Sequence, residues 1–237
     1  MKLDFSNERI LAVVAHPDDA EIFCAGTMAR ARTKDGAEIA LCVLCTGDKG
    51  QPDPPLENLG EVRHGEMKAA AELLGAELFW GGNGDGELAD TYEERLALIE
   101  VFRKFRPTLV LGHSVNDYHP DHQAASKLAE AASWFCASGG HVTDSAALST
   151  PPALWWMDTV EMLGFDPGFY VDMSDQLELK REMLRCHESQ IARGGESNFS
   201  PIEELMIRQA EARGAQCGVA AAEAFRIHSA WKRAPAW

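Results

Sequence analysis

"RILAVVAHPDDAEIFCAG", residues 9–26, runs an apolar segment straight into a histidine and two adjacent carboxylates. Ile10 to Ala15 carries no polar side chain, so it reads as a buried strand. His16, Pro17, Asp18 and Asp19 follow at once. Two neighbouring carboxylates repel each other, and a core offers them no solvation. The end of this strand therefore needs something that accepts negative charge: solvent, a helix N-terminus or a metal ion.

Further along the chain, strand-like runs at 38–45, 77–80 and 108–113 join the first at 9–15. They alternate with helical patterns near 20–34, 57–75, 91–105 and 121–138. Such alternation indicates parallel strands joined by crossover helices. The expected class is α/β: a Rossmann-like, mostly parallel sheet flanked by helices over residues 1–138. Beyond Gly139, "PPALWWMDT" and "FYVDMS" read as two more strands, followed by helices near 175–190 and 201–214 and the short run "AAAEAFRIH". With no low-complexity linker and no internal repeat, residues 1–237 read as a single domain, with 139–237 a C-terminal elaboration completing the site. The segment "GGHVTDSAALSTP" (139–151) is the expected mobile loop.

A formal net charge of −15 argues against nucleic acid or an anionic membrane surface as a partner. No apolar stretch reaches the length of a membrane span, and the N-terminus lacks the pattern of a signal peptide, which gives a cytoplasmic expectation. The six cysteines sit in apolar contexts that suit reduced, buried thiols. Cys42 and Cys45 have C-x-x-C spacing, but a regular strand would send them to opposite faces, against a redox or zinc role. "GGNGDG" (81–86) lacks the G-x-G-x-x-G pattern and an immediately following helix, so it reads as a loop beside a site, not a nucleotide cradle.

The polar signals gather where strands end: HPDD after the first, "TGDKG" (46–50) after the second, "HSVNDYHPDH" (113–122) after the fourth. Open α/β sheets bind ligands at that edge. His16 and Asp19 stand three apart, as do His119 and His122. A catalytic zinc takes three protein ligands and leaves a position for water. His16, Asp19 and one of His119 and His122 satisfy that count, leaving Asp18 to take a proton from water. Ferrous iron suits the same donor set. The simpler alternative makes Asp18 and Asp19 helix N-caps.

These residues carry a resemblance. "AHPDDAE" paired with "NDYHPDH" resembles the PIG-L/LmbE-like zinc de-N-acetylases, supported by "TGDKG", "EVRHGEMKAAAELLGA" (61–76), "DGEL" (85–88) and "KREMLRCHESQ" (180–190). The last of these, with "AEAFR" and the placement of Glu21 after Ala20, leans towards bacterial forms similar to bacillithiol-pathway deacetylases. The resemblance implies His16, Asp19 and His122 as zinc ligands and Asp18 as general base. It also implies His119 as an acid or oxyanion partner, Asp121 orienting His119, and Arg63 binding substrate. The implied reaction is hydrolysis of the N-acetyl group of an N-acetylglucosamine-type sugar or conjugate, and the implied assembly is a homo-oligomer, trimer or hexamer.

Asp48 and Asn116 are candidates for sugar hydroxyls, with loop capping as the alternative. Tyr118 either lines the pocket or is an exposed loop residue, and one of Trp155 and Trp156 could stack on a sugar. His187 reads as a packed or capping histidine. The competing functions are an amidase on a non-sugar acetamide, a phosphoesterase and a metal-holding protein without turnover. Too few ligands are present for a two-metal phosphoesterase, and a pure binding site has no use for Asp18.

Overall fold

The computed structural model describes residues 3–195 and 201–229. Seven strands form one sheet: β1 (Arg9–Val14), β2 (Glu38–Cys45), β3 (Glu77–Asn83), β4 (Leu109–Gly112), β5 (Ala153–Met157), β6 (Phe169–Asp172) and β7 (Ala222–Ile227). Their order is β3-β2-β1-β4-β5-β7-β6. The first five strands run parallel, while β7 is antiparallel to both β5 and β6. The fold is thus an α/β sheet with mostly parallel strands, flanked by helices.

β1 lies between β2 and β4, and its six residues are buried from Ile10 onward. Its alternating side chains feed two layers. Ile10, Ala12 and Val14 pack with Met28, Met67 and Met183, whereas Leu11, Val13 and Ala15 pack with Phe102, Leu128 and Ala132. The helices behind these contacts are α1 (Asp19–Phe23), α2 (Ala25–Arg30), α3 (Leu59–Leu74), α4 (Tyr92–Phe105), α5 (Pro120–Phe135), α6 (Leu177–Arg185), α7 (Glu188–Ile191) and α8 (Ile202–Cys217). The chain leaves β1 towards β2 on one side and arrives at β4 on the other, so a crevice opens outside the carboxyl ends of these two strands.

Several elements differ from expectation, each for a local reason. The helix expected over 20–34 breaks at Cys24, whose backbone (φ −148°, ψ −4°) is not helical, and finishes as a π-turn over Ala31–Asp35. The helix expected near 175–190 is interrupted at Cys186 and His187. In β2, an irregularity between Val43 and Cys45 upsets the alternation, so both Cys42 and Cys45 join the same core layer. Neither forms a disulfide, and burial pushes the Cys42 thiol up to about 12. Cys217, expected inside, is exposed.

The segment 139–151 is tied down by Arg103. This buried side chain donates to the carbonyls of Cys136, Ser138 and Ser145 and to Thr143 Oγ1. Trp155 and Trp156 are both buried, one in each core layer, so neither offers a face to a ligand.

Candidate metal centre

The loops after β1 and β4 meet in the crevice. Asp19, the first residue of α1, is buried and stands between imidazoles from both loops. Its Oδ1 is 3.3 Å from His122 Nε2, and its Oδ2 is 3.5 Å from His16 Nδ1. Two ligands held at about 2.1 Å from a tetrahedral ion stand about 3.4 Å apart, so these separations fit one. Each ring also has its other nitrogen against a carboxylate: His16 Nε2 is 3.1 Å from Asp121 Oδ2, and His122 Nδ1 is 3.1 Å from Asp117 Oδ2. Metal-binding histidines are oriented by such backing carboxylates. Ligand atoms of Asp19, His113 and His122, and likewise those of His16, His119 and His122, all lie within 4.8 Å of one another, so the donors gathered around His122 can hold a divalent ion.

The electrostatics point the same way. Burial alone would raise the pKa of Asp19, but His122 and His113 hold its carboxyl well below the usual range. Burial would lower His16, yet its contacts with Asp121 and Asp19 lift it to about 10. The pocket is built to hold positive charge against Asp19.

Three of the expected roles meet other surroundings. Asp121 was expected behind His119, but its Oδ2 lies 4.0 Å from His119 Nδ1 and instead faces His16 and accepts the Gly86 N–H at 2.7 Å. The reason is helical geometry: His119 is the N-cap of α5, its Nδ1 accepting the Asp121 N–H at 3.2 Å, so the Asp121 side chain leaves in another direction. Arg63, expected to face substrate, is buried and engaged with protein. Its Nη2 donates to Asp18 Oδ2 at 2.8 Å and to the Pro17 carbonyl, and its Nη1 to the Gly47 carbonyl at 3.2 Å. It remains part of the cavity wall. Asp48 and Asn116 do not line the cavity. Asp48 braces its own loop, accepting from Thr46 Oγ1 and the Asp85 N–H, and Asn116 is exposed.

Asp18 opens α1 in a left-handed conformation (φ 115°). Burial raises its pKa, and the Arg63 guanidinium opposes that rise. The sequence places His113 at the end of a strand without a metal role, and sequence reasoning passed over Asp117. His113 stacks on His122 with ring centroids 4.0 Å apart, and its Nε2 lies 3.2 Å from Asp19 Oδ2. The Ala15 N–H donates to that same nitrogen at 3.0 Å, occupying the lone pair a metal would need. Asp117 lies three residues ahead of Pro120 within "NDYHPDH", and a carboxylate one helical turn or so before a ligand histidine was a usable signal.

The cavity over these residues measures about 780 Å³. Its lining is mixed: polar Lys49, Arg63, Asp85, Glu161, Gln190 and Arg193 with apolar Ile22, Val160, Ile202 and Leu205. Tyr118, largely exposed, and His119 stand at its edge.

The profile of the PIG-L family, described as GlcNAc-PI de-N-acetylase, matches residues 11–133, which hold both histidine motifs. The chain belongs to the PIG-L family. Among its PIG-L relatives, the diacetylchitobiose deacetylase of Thermococcus kodakarensis is 33% identical over 207 residues, covering 80% of this chain and 75% of that one. The 4-oxalmesaconate hydratase of Pseudomonas putida is 26% identical over 190 residues, covering 76% of this chain and 73% of that one. The solved N,N'-diacetylchitobiose deacetylase of Pyrococcus horikoshii, in complex with its inhibitor MPG, superposes with a TM-score of 0.82 at 26% identity, covering 93% of this chain and 84% of that one. Among the described residues, no helix is long and apolar enough to cross a membrane.

Proposed function

We propose that this chain hydrolyses the N-acetyl group of an N-acetylglucosamine-type sugar or its conjugate, with a divalent metal held by His16, Asp19 and His122. The observation that carries the reading is the convergence of two carboxylate-backed imidazoles on Asp19 beneath a cavity floored by Asp18. Zinc is the ion proposed; when bound, it supplies Lewis-acid polarisation of the acetamide and acidification of water.

The chain's own groups supply the proton chemistry. Asp18 Oδ2 is held by Arg63, which leaves Oδ1 to take the proton of the attacking water. His119 Nδ1 is occupied by the Asp121 N–H, so its proton sits on Nε2. Burial and the neighbouring His122 and His16 lower its pKa, which makes a neutral ring the form present at pH 7. Its Nε2–H then donates a hydrogen bond to the developing oxyanion, and as the C–N bond breaks the proton taken up by Asp18 passes to the leaving nitrogen, giving acetate and the free amine. Asp121 orients His16 in this scheme, and Asp117 orients His122.

A cavity of about 780 Å³ is in the range that holds a drug-sized ligand, about 300–1,000 Å³, which favours a sugar bearing a further group. The polar lining groups suit hydroxyls, and the apolar ones suit a ring face or the conjugated group. Arg63 acts through Asp18, and Tyr118 meets the substrate at the cavity mouth. A homo-oligomer, trimer or hexamer, belongs to the same reading and rests on the family resemblance alone, while a cytoplasmic location rests on the pattern of the N-terminal sequence.

The hydratase among the relatives defines the competing chemistry. Acetate release from N-acetylglucosamine, N,N'-diacetylchitobiose and N-acetylglucosaminides with charged or apolar aglycones, assayed with zinc-loaded protein, tests the proposal. Acetate from at least one of them is expected. No acetate from any, together with hydration of an unsaturated dicarboxylic acid, would replace it.

A further inference from the structure

Two motifs far from the metal loops, "KREMLRCHESQ" and "AEAFR", place Lys180 and Glu223 in the molecule's interior. Their side chains are 1% and 3% exposed and meet at 2.6 Å. Such a pair is costly to bury, and removing only one partner strands a charge, so its surroundings matter. The pair sits at the break between α1 and α2.

In an unbroken helix, the Gly26 N–H would bond to the Ile22 carbonyl and the Thr27 N–H to the Phe23 carbonyl. Here Lys180 Nζ donates to the Ile22 carbonyl at 2.9 Å, while Glu223 accepts the Gly26 N–H at 2.9 Å and the Thr27 N–H at 2.7 Å. The ammonium takes over the carbonyl end of α1, the carboxylate takes over the amide end of α2, and their contact closes the gap. An ion pair is spliced into the helix ladder. The break it holds open lets α1 point independently of α2, and α1 begins with Asp19.

We propose that Lys180 and Glu223 are positioning residues for the metal centre: by fixing the α1–α2 break they set the placement of Asp19. Neither residue touches the cavity's reacting end, so they act only through α1. The inference rests on the reading of Asp19 as a metal ligand, and its test separates the two.

The probe is zinc ion alone, titrated against a competing chelator into metal-free protein well below its melting temperature. The variants are Asp19→Ala, Lys180→Met, and the double variant Lys180→Met/Glu223→Gln, which removes both charges and leaves none stranded. The double variant should fold and bind zinc about 10- to 100-fold more weakly, the usual effect of groups that orient ligands. Lys180→Met alone should weaken it at least as much. Wild-type zinc affinity in the double variant, with only the melting temperature of the metal-free protein lowered, would make the pair merely structural and overturn the proposal. Wild-type affinity in Asp19→Ala would instead overturn the ligand assignment on which it rests.

Discussion

Asp18 and Asp19 are neighbours with opposite electrostatic fates, and the backbone is the cause. The left-handed turn at Asp18 sends its carboxylate to Arg63, while Asp19 enters α1 and faces the imidazoles. Asparagine and aspartate tolerate left-handed backbone better than most side chains, so Asp18→Asn keeps the turn. That variant is expected to retain zinc while kcat falls about 10²- to 10⁴-fold, the worth of a general base. Asp19→Ala is expected to lose zinc, and elemental analysis beside kcat distinguishes the two. The pH dependence follows from the same pair. A general base works ionised, so activity falls as pH drops through the Asp18 pKa, which burial raises and Arg63 holds in check. Arg63→Met removes that check; the acidic limb of kcat/KM should move to higher pH and should be absent in Asp18→Asn. An acidic limb that stays in place in Arg63→Met would return Arg63 to a direct substrate role. The paired motifs brought His16, Asp19 and one of His119 and His122 to one sheet edge in the sequence because residues three apart on a helix start share a direction; the choice of His122 came from the family resemblance. The partners of Asp121 and Arg63 were not legible, since a cap angle at His119 and a loop crossing at Gly47 decide them.

Among the elements, the strands were readable and the helix interruptions were not. Apolar runs such as Ile39–Cys45 and Leu109–Gly112 declare themselves by composition, but the break at Cys24 depends on Glu223, a residue 197 positions beyond Gly26. No window around Cys24 contains that information. The loop 139–151 was misread for a related reason: its glycines and serines suggest freedom, while its restraint lies in Arg103 of α4. Arg103→Met leaves loop carbonyls without their donor and is expected to cost about 2 kcal/mol. Melting should fall by roughly 5 °C, with faster amide exchange confined at first to residues 138–148. Unchanged exchange there would show that the loop holds itself. Glu100 adds a pH term to this restraint. Burial would raise its pKa, but hydrogen bonds from Ser145 and Thr143 pull it from its ordinary 4.5 to about 2. A depressed carboxyl stabilises the fold above its unfolded pKa and loses that contribution as pH falls through the folded one. Protection of the Ser145 amide should therefore fade between about pH 4.5 and 2, and in Glu100→Gln this fading should be gone.

At the scale of the whole molecule, the metal and the fold are linked through α1, α5 and the strand ends they cap. An ion that binds only the folded state at a hundred times its Kd adds about 2.7 kcal/mol of stability. For a chain of this size that corresponds to a melting shift of roughly 5–10 °C. Chelation should lower the melting temperature by that much and abolish acetate release, and added zinc should restore both. Activity persisting in protein shown by elemental analysis to be metal-free would remove the metal from the mechanism. The general plan of the sheet followed from alternation of strands and helices, but the insertion of β7 between β5 and β6 did not, because an antiparallel return leaves no periodic mark. That insertion has a consequence for biosynthesis. β6 pairs with β7 and no other described strand, so while the ribosome is still short of residue 222, β6 has no neighbour and β5 presents a bare edge. Bare edges recruit other chains, and nascent protein at this stage is prone to do so. Glu223 also emerges only then, so the α1–α2 junction waits on the final strand. A message cut short before that codon yields a chain with every residue of the histidine motifs but without the carboxylate that holds the Gly26 and Thr27 amides, so tight zinc capture favours products whose translation has run through β7.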